Sequence, residues 1–382
     1  CTGRKELNNL GIINLMGIDL IEDDTYKLSV HIIKPSTGQG GEPADAPGPG
    51  SAIWVGEAKG KTIEEAVKNL RAKTSWLLIW SHCDIIILGK GLSNKGIKNT
   101  IDYLARNQQI RLTSNILTSS TAAWKILQHS PEEKKEPVSD QINGLINNIQ
   151  DWSMSCNLNL KEVLSRLASD SQDIVLGKLN LVLADKVKKG QQNPSSSTSE
   201  DFPEQIVLEL EGASVFRKDK LVGTLSPKET RAYLRLIDQI KLHNVNLKIN
   251  QHSLISLETY YTKTEINLNQ DSEPPYTIVV NIKEKSRLTE ITSNINILSQ
   301  KIIDKIEKSK SQKLIQESKN LINKMITLKS DILGIKGLFK KYPEMWKEIE
   351  PNRNSIYSLI NYKYNIESNL SQFGKIHESI IK

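Results

Sequence analysis

The hydrophobic pattern of this chain changes period repeatedly, and that switching constrains its fold more than any other feature. Lys27, Leu28, Ser29, Val30, His31 and Ile32 alternate with the period of a half-buried strand. Ile12–Asp19 and Tyr26–Lys34 form two strand-like runs around the acidic turn Glu22-Asp23-Asp24. Pro35–Ser51, rich in Gly and Pro, reads as a loop tip, and Ser51–Glu57 as the next strand. Thr62, with Glu65 three residues on, has the form of a capping box opening a helix through Ala66, Leu70 and Lys73. Then follow a strand over Cys83–Leu88 and a helix over Ser93–Arg106 with Ile97, Ile101 and Leu104 on one face. A strand over Ile110–Leu117, a short helix over Ala122–Leu127, helices over Gln141–Gln150 and Leu160–Leu167, and a strand over Leu176–Ala184 complete the series. Strands interleaved with helices predict an α/β or α+β first domain.

Lys188–Pro203 interrupts this order. It contains QQNPSSSTSEDFP, has no apolar face, and reads as a domain linker. Beyond it, Gln205–Phe216 and Lys220–Leu225 predict a hairpin, and Ser226-Pro227-x-Glu229 a capped helix start. Val245–Ile249, Leu254–Leu268 and Tyr276–Lys285 read as strands. From Ser293 the spacing turns helical through Ile302, Ile306, Leu314, Leu321, Met325 and Leu328, with the polar stretch Glu307–Lys313 as a candidate break. Tyr362–Leu370 reads as a last strand. The expected organisation is an N-terminal α/β domain over 1–188, the linker over 189–203, a small middle domain over 204–248 and a C-terminal α+β domain over 249–382.

An apolar fraction of 38% in 382 residues supports packed cores, yet no apolar run reaches the length of a membrane-spanning helix. The net charge of +7 is spread widely, which suits proximity to anionic lipid and not nucleic-acid binding, where basic residues cluster among aromatics. Cys1, Cys83 and Cys156 form neither a disulfide framework nor a zinc pattern. Cys83 and Cys156 lie among apolar residues and read as core. Cys1 reads as the residue that a lipoprotein signal peptidase leaves first, hence as a lipid anchor.

No pattern of catalytic chemistry assembles. Gly89-Lys90-Gly91 lacks the rest of a phosphate-binding loop and reads as a tight strand-to-helix turn. His82 and Cys83 are strand neighbours that point to opposite faces. The histidines have no metal-ligand spacing, and the Glu22-Asp23-Asp24 turn lacks the remaining ligands of a calcium loop. No polar cluster of ligand-site character is visible, so the isolated chain is expected to bind no amino acid or sugar with useful affinity. The expectation is a protein that is not an enzyme and uses no cofactor. Two other classes are the alternatives: a solute-binding lipoprotein that captures a nutrient itself, and a cell-envelope hydrolase. Paired similar lobes would mark the first, and a convergent acid or nucleophile cluster the second.

Several separate segments, in order, resemble the blocks of one known protein family. Arg4-x-Glu6-Leu7-x-x-Leu10 and Met16-Gly17-Ile18-Asp19 are similar to its opening. Gly60-x-Thr62-Ile63-x-Glu65-Ala66 resembles its turn into a helix. His82–Gly89, Asp102-Tyr103-Leu104-x-Arg106 and Ile110-Arg111 resemble its central block. Val215-Phe216-x-x-Asp219-Lys220-Leu221-Val222-Gly223 with Glu229-Thr230-Arg231 resembles its most recognisable stretch. Asp331-Ile332-Leu333-Gly334, Tyr342-Pro343, Trp346-Lys347 and Gly374 resemble its closing blocks.

The family these blocks resemble is Ger(x)C, the C subunits of spore germinant receptors, and the resemblance implies an α+β protein of three domains, each a β-sheet with flanking helices. It implies a non-catalytic receptor subunit, anchored through diacylglycerol and an N-acyl chain on Cys1 to the outer face of the inner spore membrane. The implied partners are A-type and B-type integral membrane subunits and the membrane surface. Arg106, Arg111, Gly223, Lys340, Lys341 and Trp346 are the candidate motif or partner-contact residues. On plain structural grounds, Arg106 and Arg111 read as surface ion pairs, Gly223 as a turn residue and Trp346 as core filling.

Overall fold

The structure is a computed structural model that describes residues 9–34, 53–129, 137–183, 206–249, 253–270, 273–292 and 299–372. Cys1, the Pro35–Ser51 loop, the Lys188–Pro203 linker and Gly374 lie outside the described residues. The chain forms two compact units. One comprises Cys1–Lys95, Asn99–Ile146 and Lys178–Leu210, the other Gly96–Lys98, Asn147–Gly177 and Glu211–Lys382.

The first unit is built on a mixed sheet. β1 (Leu10–Ile21) pairs antiparallel with β2 (Thr25–Ile33), which pairs antiparallel with β3 (Ile53–Gly60). On its other side β1 takes two parallel neighbours, β4 (Leu77–Ile79) and β5 (Ile85–Leu88). β5 pairs parallel with β6 (Asn115–Ser119). All four residues of β5 are buried, as both faces of a central parallel strand must be. α1 (Ile63–Arg71) packs on β2 and β3 through Ile63, Ala66, Val67 and Leu70. The Thr62 hydroxyl accepts from Glu65 N at 3.1 Å as the capping pattern requires, although Glu65 returns its bond to Lys61 N instead of Thr62 N. The single helix expected over Ser93–Arg106 is two, α2 (Lys90–Lys95) and α3 (Lys98–Arg106). Gly96, at φ +137°, adopts a backbone that helices cannot contain. α4 (Ala123–Leu127) and α5 (Val138–Asn147) complete this unit.

The second unit begins with α6 (Ile149–Trp152), β7 (Leu158–Asn159) and α7 (Leu160–Ser169). β8 (Val175–Leu183) and β9 (Ile206–Arg217) cross from one unit into the other. β9 forms a hairpin with β10 (Lys220–Leu225), after which α8 (Pro227–Leu236) opens on the expected Ser226/Glu229 capping box. A four-stranded sheet follows in the order β11 (His243–Lys248), β12 (Leu254–Leu268), β13 (Tyr276–Ile291) and β14 (Ile360–Gln372). The first two pairings are antiparallel and the last is parallel. α9 (Gln300–Leu328) runs unbroken for 29 residues, so Glu307–Lys313 is not a break. α10 (Ile335–Phe339) and α11 (Pro343–Ile349) lead towards β14. The α+β class expected from the sequence is the observed one.

Two apolar cores form in this unit. The larger gathers Val215, Tyr233, Ile278, Val280, Ile282, Leu321, Met325 and Phe339. The smaller gathers Val245, Leu247, Ile255, Leu257, Leu288 and Ile306. Burying each of the larger side chains contributes about 1.5–3 kcal/mol. The inward face of β13 reads Ile278, Val280, Ile282, Glu284, Ser286, Leu288, and that of α9 reads Ile306, Lys310, Leu314, Ser318, Leu321. A polar band thus separates the two cores.

Candidate functional site

That band is an ion network. Arg235 descends from α8, Glu284 rises from β13, and Lys310 and Glu317 come from α9. Arg235 Nε lies 2.9 Å from Glu284 Oε1, and Arg235 Nη1 3.0 Å from Glu317 Oε2. Lys310 Nζ lies 2.7 Å from Glu284 Oε2, donates to Thr259 Oγ1 at 2.9 Å and also bonds Ser286 Oγ. Burial alone would raise the Glu284 carboxyl, but Arg235 and Lys310 outweigh it and hold it at about 2. His243 is pushed down to about 3, chiefly by burial, with Arg235 and Lys310 adding repulsion against the pull of Glu284. Its imidazole is therefore neutral, and Nε2, 3.4 Å from Arg235 Nη2, accepts. Two cations and two carboxylates balance. Every member is held by others of the band, which is the arrangement of a structural network.

Three buried aspartates, Asp19, Asp173 and Asp331, spend their carboxylates on backbone N–H groups. Asp331 accepts from Ile335 N, Lys336 N and the Tyr357 hydroxyl, each at 2.8 Å, and so fixes the start of α10. Asp173 accepts from Lys218 N at 2.9 Å and Asp331 N at 2.6 Å, tying the β9–β10 turn to that cap. In the first unit Asp19 accepts from Ala123 N at 2.8 Å and Trp124 N at 3.0 Å at the start of α4. A Cβ on Gly89 would come within 1.8 Å of Asp19 Oδ1, so Gly89 serves this close approach.

The six candidate residues are scattered. Arg106 is exposed and bonds Asp102 at 2.8 Å one helical turn away; Arg111 lies 3.6 Å from Asp84. Both are surface ion pairs. Gly223 is not in a turn. It stands at a register shift within β10, where a Cβ would meet Leu328 Cδ2 at 2.7 Å. Here the absence of a side chain lets α9 close on the hairpin. Lys340 and Trp346 do come together, with Nζ 5.4 Å from the ring centroid. Lys341 is exposed beside them, and Trp346 packs partly on the larger core. Cys83 and Cys156 are buried, and burial pushes each thiol to about 12, far from thiolate chemistry. No His, Cys, Asp and Glu cluster of metal-binding form occurs among the described residues.

Sequence reading missed one polar cluster. A cavity of about 620 Å³ is lined by Asp151, Trp152, Glu211, Lys228, Arg231 and Lys313, among others. These residues come from α6, β9, α8 and α9, too far apart in sequence to form a motif.

Comparison with known proteins accords with this architecture. Residues 3–181 match the spore germination protein N-terminal domain, and residues 211–374 the spore germination B3/GerAC-like C-terminal domain. Spore germination protein KC of Bacillus subtilis (strain 168) is 23% identical over 94% of this chain and 88% of its own length. Spore germination protein B3 of the same organism is 23% identical over 98% of this chain and 94% of its own. The crystal structure of the GerBC protein shares the fold, with a TM-score of 0.56 at 18% identity over 93% of this chain and 96% of that one. Two domain matches in order, spanning most of the sequence, place the chain in the Ger(x)C family of spore germination proteins.

Proposed function

We propose that this protein is the non-catalytic, lipid-anchored C subunit of a nutrient germinant receptor, acting with A-type and B-type integral membrane subunits at the outer face of the inner spore membrane. The observation that carries this reading is collinearity with germination proteins KC and B3 over nearly their whole lengths. The chemistry of the chain supports it. Both described thiols are inert, the most strongly perturbed histidine is locked neutral in an ion network, and the buried aspartates cap helices. No described helix is long and apolar enough to cross a membrane, so on this reading attachment depends on lipid at Cys1 and on the partner subunits. The test is co-purification from spore membranes. The chain should be recovered with A-type and B-type subunits, and its deletion should abolish the response to their nutrient without impairing germination triggered through other receptors. Recovery free of both subunits, with unchanged nutrient response in the deletion, refutes the assignment.

A further inference from the structure

The cavity of about 620 Å³ in the second unit has an unusual wall. Lys228, Arg231 and Lys313 all line it. Among the described residues none of the three has a carboxylate oxygen within ion-pairing distance. Arg231 Nη1 donates to the Asn244 carbonyl at 2.9 Å, and Lys313 Nζ to the Asn246 carbonyl at 2.8 Å. These are neutral acceptors; the largest favourable charge on both Arg231 and Lys313 is Glu317, which Arg235 already holds at 3.0 Å. Among the described residues, Arg231 Nε and Trp152 Nε1, both belonging to cavity-lining residues, are buried and have no hydrogen-bond partner. The two carboxylates on the buried side, Glu284 and Glu317, are already matched by Arg235 and Lys310. Burial lowers the proton affinity of Lys313; Glu317 opposes this, while Lys228, Arg231 and Arg235 reinforce it by repulsion. The local cation excess is therefore held at a cost that a bound anion would relieve. The first turn of α8 contributes Ser226, Pro227 and Lys228 to the same wall, its N-terminus being already capped by Ser226 and Glu229.

We propose that this cavity is a binding site for a small phosphate- or carboxylate-bearing molecule, whose anionic group is seated on Lys228, Arg231 and Lys313. Asp151 also lines the cavity, so the ligand's remainder presents hydrogen-bond donors or a positive group and not a second bare anion. The volume suits a metabolite-sized molecule. A free solute and a lipid headgroup offer the same chemistry. The proposal does not depend on the receptor assignment, because it is read on the isolated chain.

The experiment is calorimetric titration of the full chain with inorganic phosphate at fixed ionic strength, with a parallel flotation assay on phosphatidylglycerol vesicles. Lys228 is exposed, so Lys228→Gln should fold normally, as its thermal midpoint will verify. Saturable phosphate binding is expected, weakened about tenfold in Lys228→Gln as for one lost charge-assisted contact. Lys313→Gln should weaken it likewise, and Lys125→Gln, the same charge change in the first unit, should leave it unaltered. Vesicle binding that Lys228→Gln abolishes, without binding of soluble phosphate, assigns the anion to a headgroup. Binding of neither, or binding weakened equally by Lys125→Gln, overturns the proposal.

Discussion

Glu284 shows how one residue can decide the stability of a whole unit. It is fully buried between Arg235 and Lys310, so removing its charge leaves cations with no water to turn to. Glu284→Gln is expected to destabilise the second unit by about 3–5 kcal/mol. Glu284→Gln combined with Lys310→Met should cost less than the two changes summed, because the second relieves the charge stranded by the first. Urea unfolding of the single and double variants checks this. The pH dependence has a definite sign. The Glu284 carboxyl is held at about 2 in the fold against an ordinary 4.5, so the unfolded chain takes up the proton first as pH falls. That stability is complete above 4.5 and is lost between there and about 2. His243 acts earlier. It stays neutral in the fold down to about 3, whereas the unfolded imidazole protonates below 6.5. Stability should therefore begin to fall near 6.5, and His243→Gln should reduce the loss above 4.5, the remainder coming from His31 and His129, which burial also lowers. Unfolding midpoints at about pH 7, 5.5 and 4 distinguish the two contributions. Equal slopes in wild type and His243→Gln would assign the upper part of the loss elsewhere.

At the scale of elements, much of this architecture was legible, and the misses share a cause. The alternation over Lys27–Ile32 marks β2, strand-like runs mark β1 and β12, and the capping patterns at Thr62 and Ser226 mark the starts of α1 and α8. These signals are local. The Ser93–Arg106 pattern passes Gly96 unmarked, because its apolar spacing survives the break that the left-handed backbone imposes. Glu307–Lys313 looked like an interruption because Lys310 occupies a core position of the α9 stripe, four residues from both Ile306 and Leu314. A charged residue on an apolar stripe, with Glu284 likewise on the inner face of β13, was the available signal for the ion network. Neither residue alone announces a partner in another element. The cavity was invisible for the same reason. Gly223 is the converse case, a residue whose role belongs to a contact between elements. Its substitution by Ala should push Leu328 away and destabilise by about 1–3 kcal/mol, while Leu328→Ala in the same chain should recover part of the loss. A double-mutant cycle by denaturation measures this coupling, and strict additivity would remove the packing explanation.

For the molecule as a whole, the proposed function turns on a lipid anchor at Cys1 and on a surface that meets the membrane subunits. Lys340 and Lys341 stand exposed beside the partly buried Trp346, so the pair can change sign at little cost to the fold. If this surface meets a membrane subunit, charge reversal at both should lower receptor assembly while leaving the isolated chain's melting temperature nearly unchanged. Unchanged assembly dismisses the surface. Anchoring is the stronger dependence. On the proposed reading, Cys1 carries a thioether-linked diacylglycerol and an acylated amine. Each buried methylene contributes about 0.8 kcal/mol, and two chains hold where one is marginal. β1 begins at Leu10, so the chain between it and Cys1 spans at most about 30 Å even fully extended. The first unit is then confined near the headgroups, where a widely spread positive charge is favourable. Cys1→Ala, expressed with an intact signal peptide, should move the protein to the soluble fraction and weaken the nutrient response. Mass spectrometry of the native N-terminal peptide reads the modification directly. A protein that fractionates with membrane while its Cys1 is unmodified would be held by its partners alone, and the lipid anchor would be refuted.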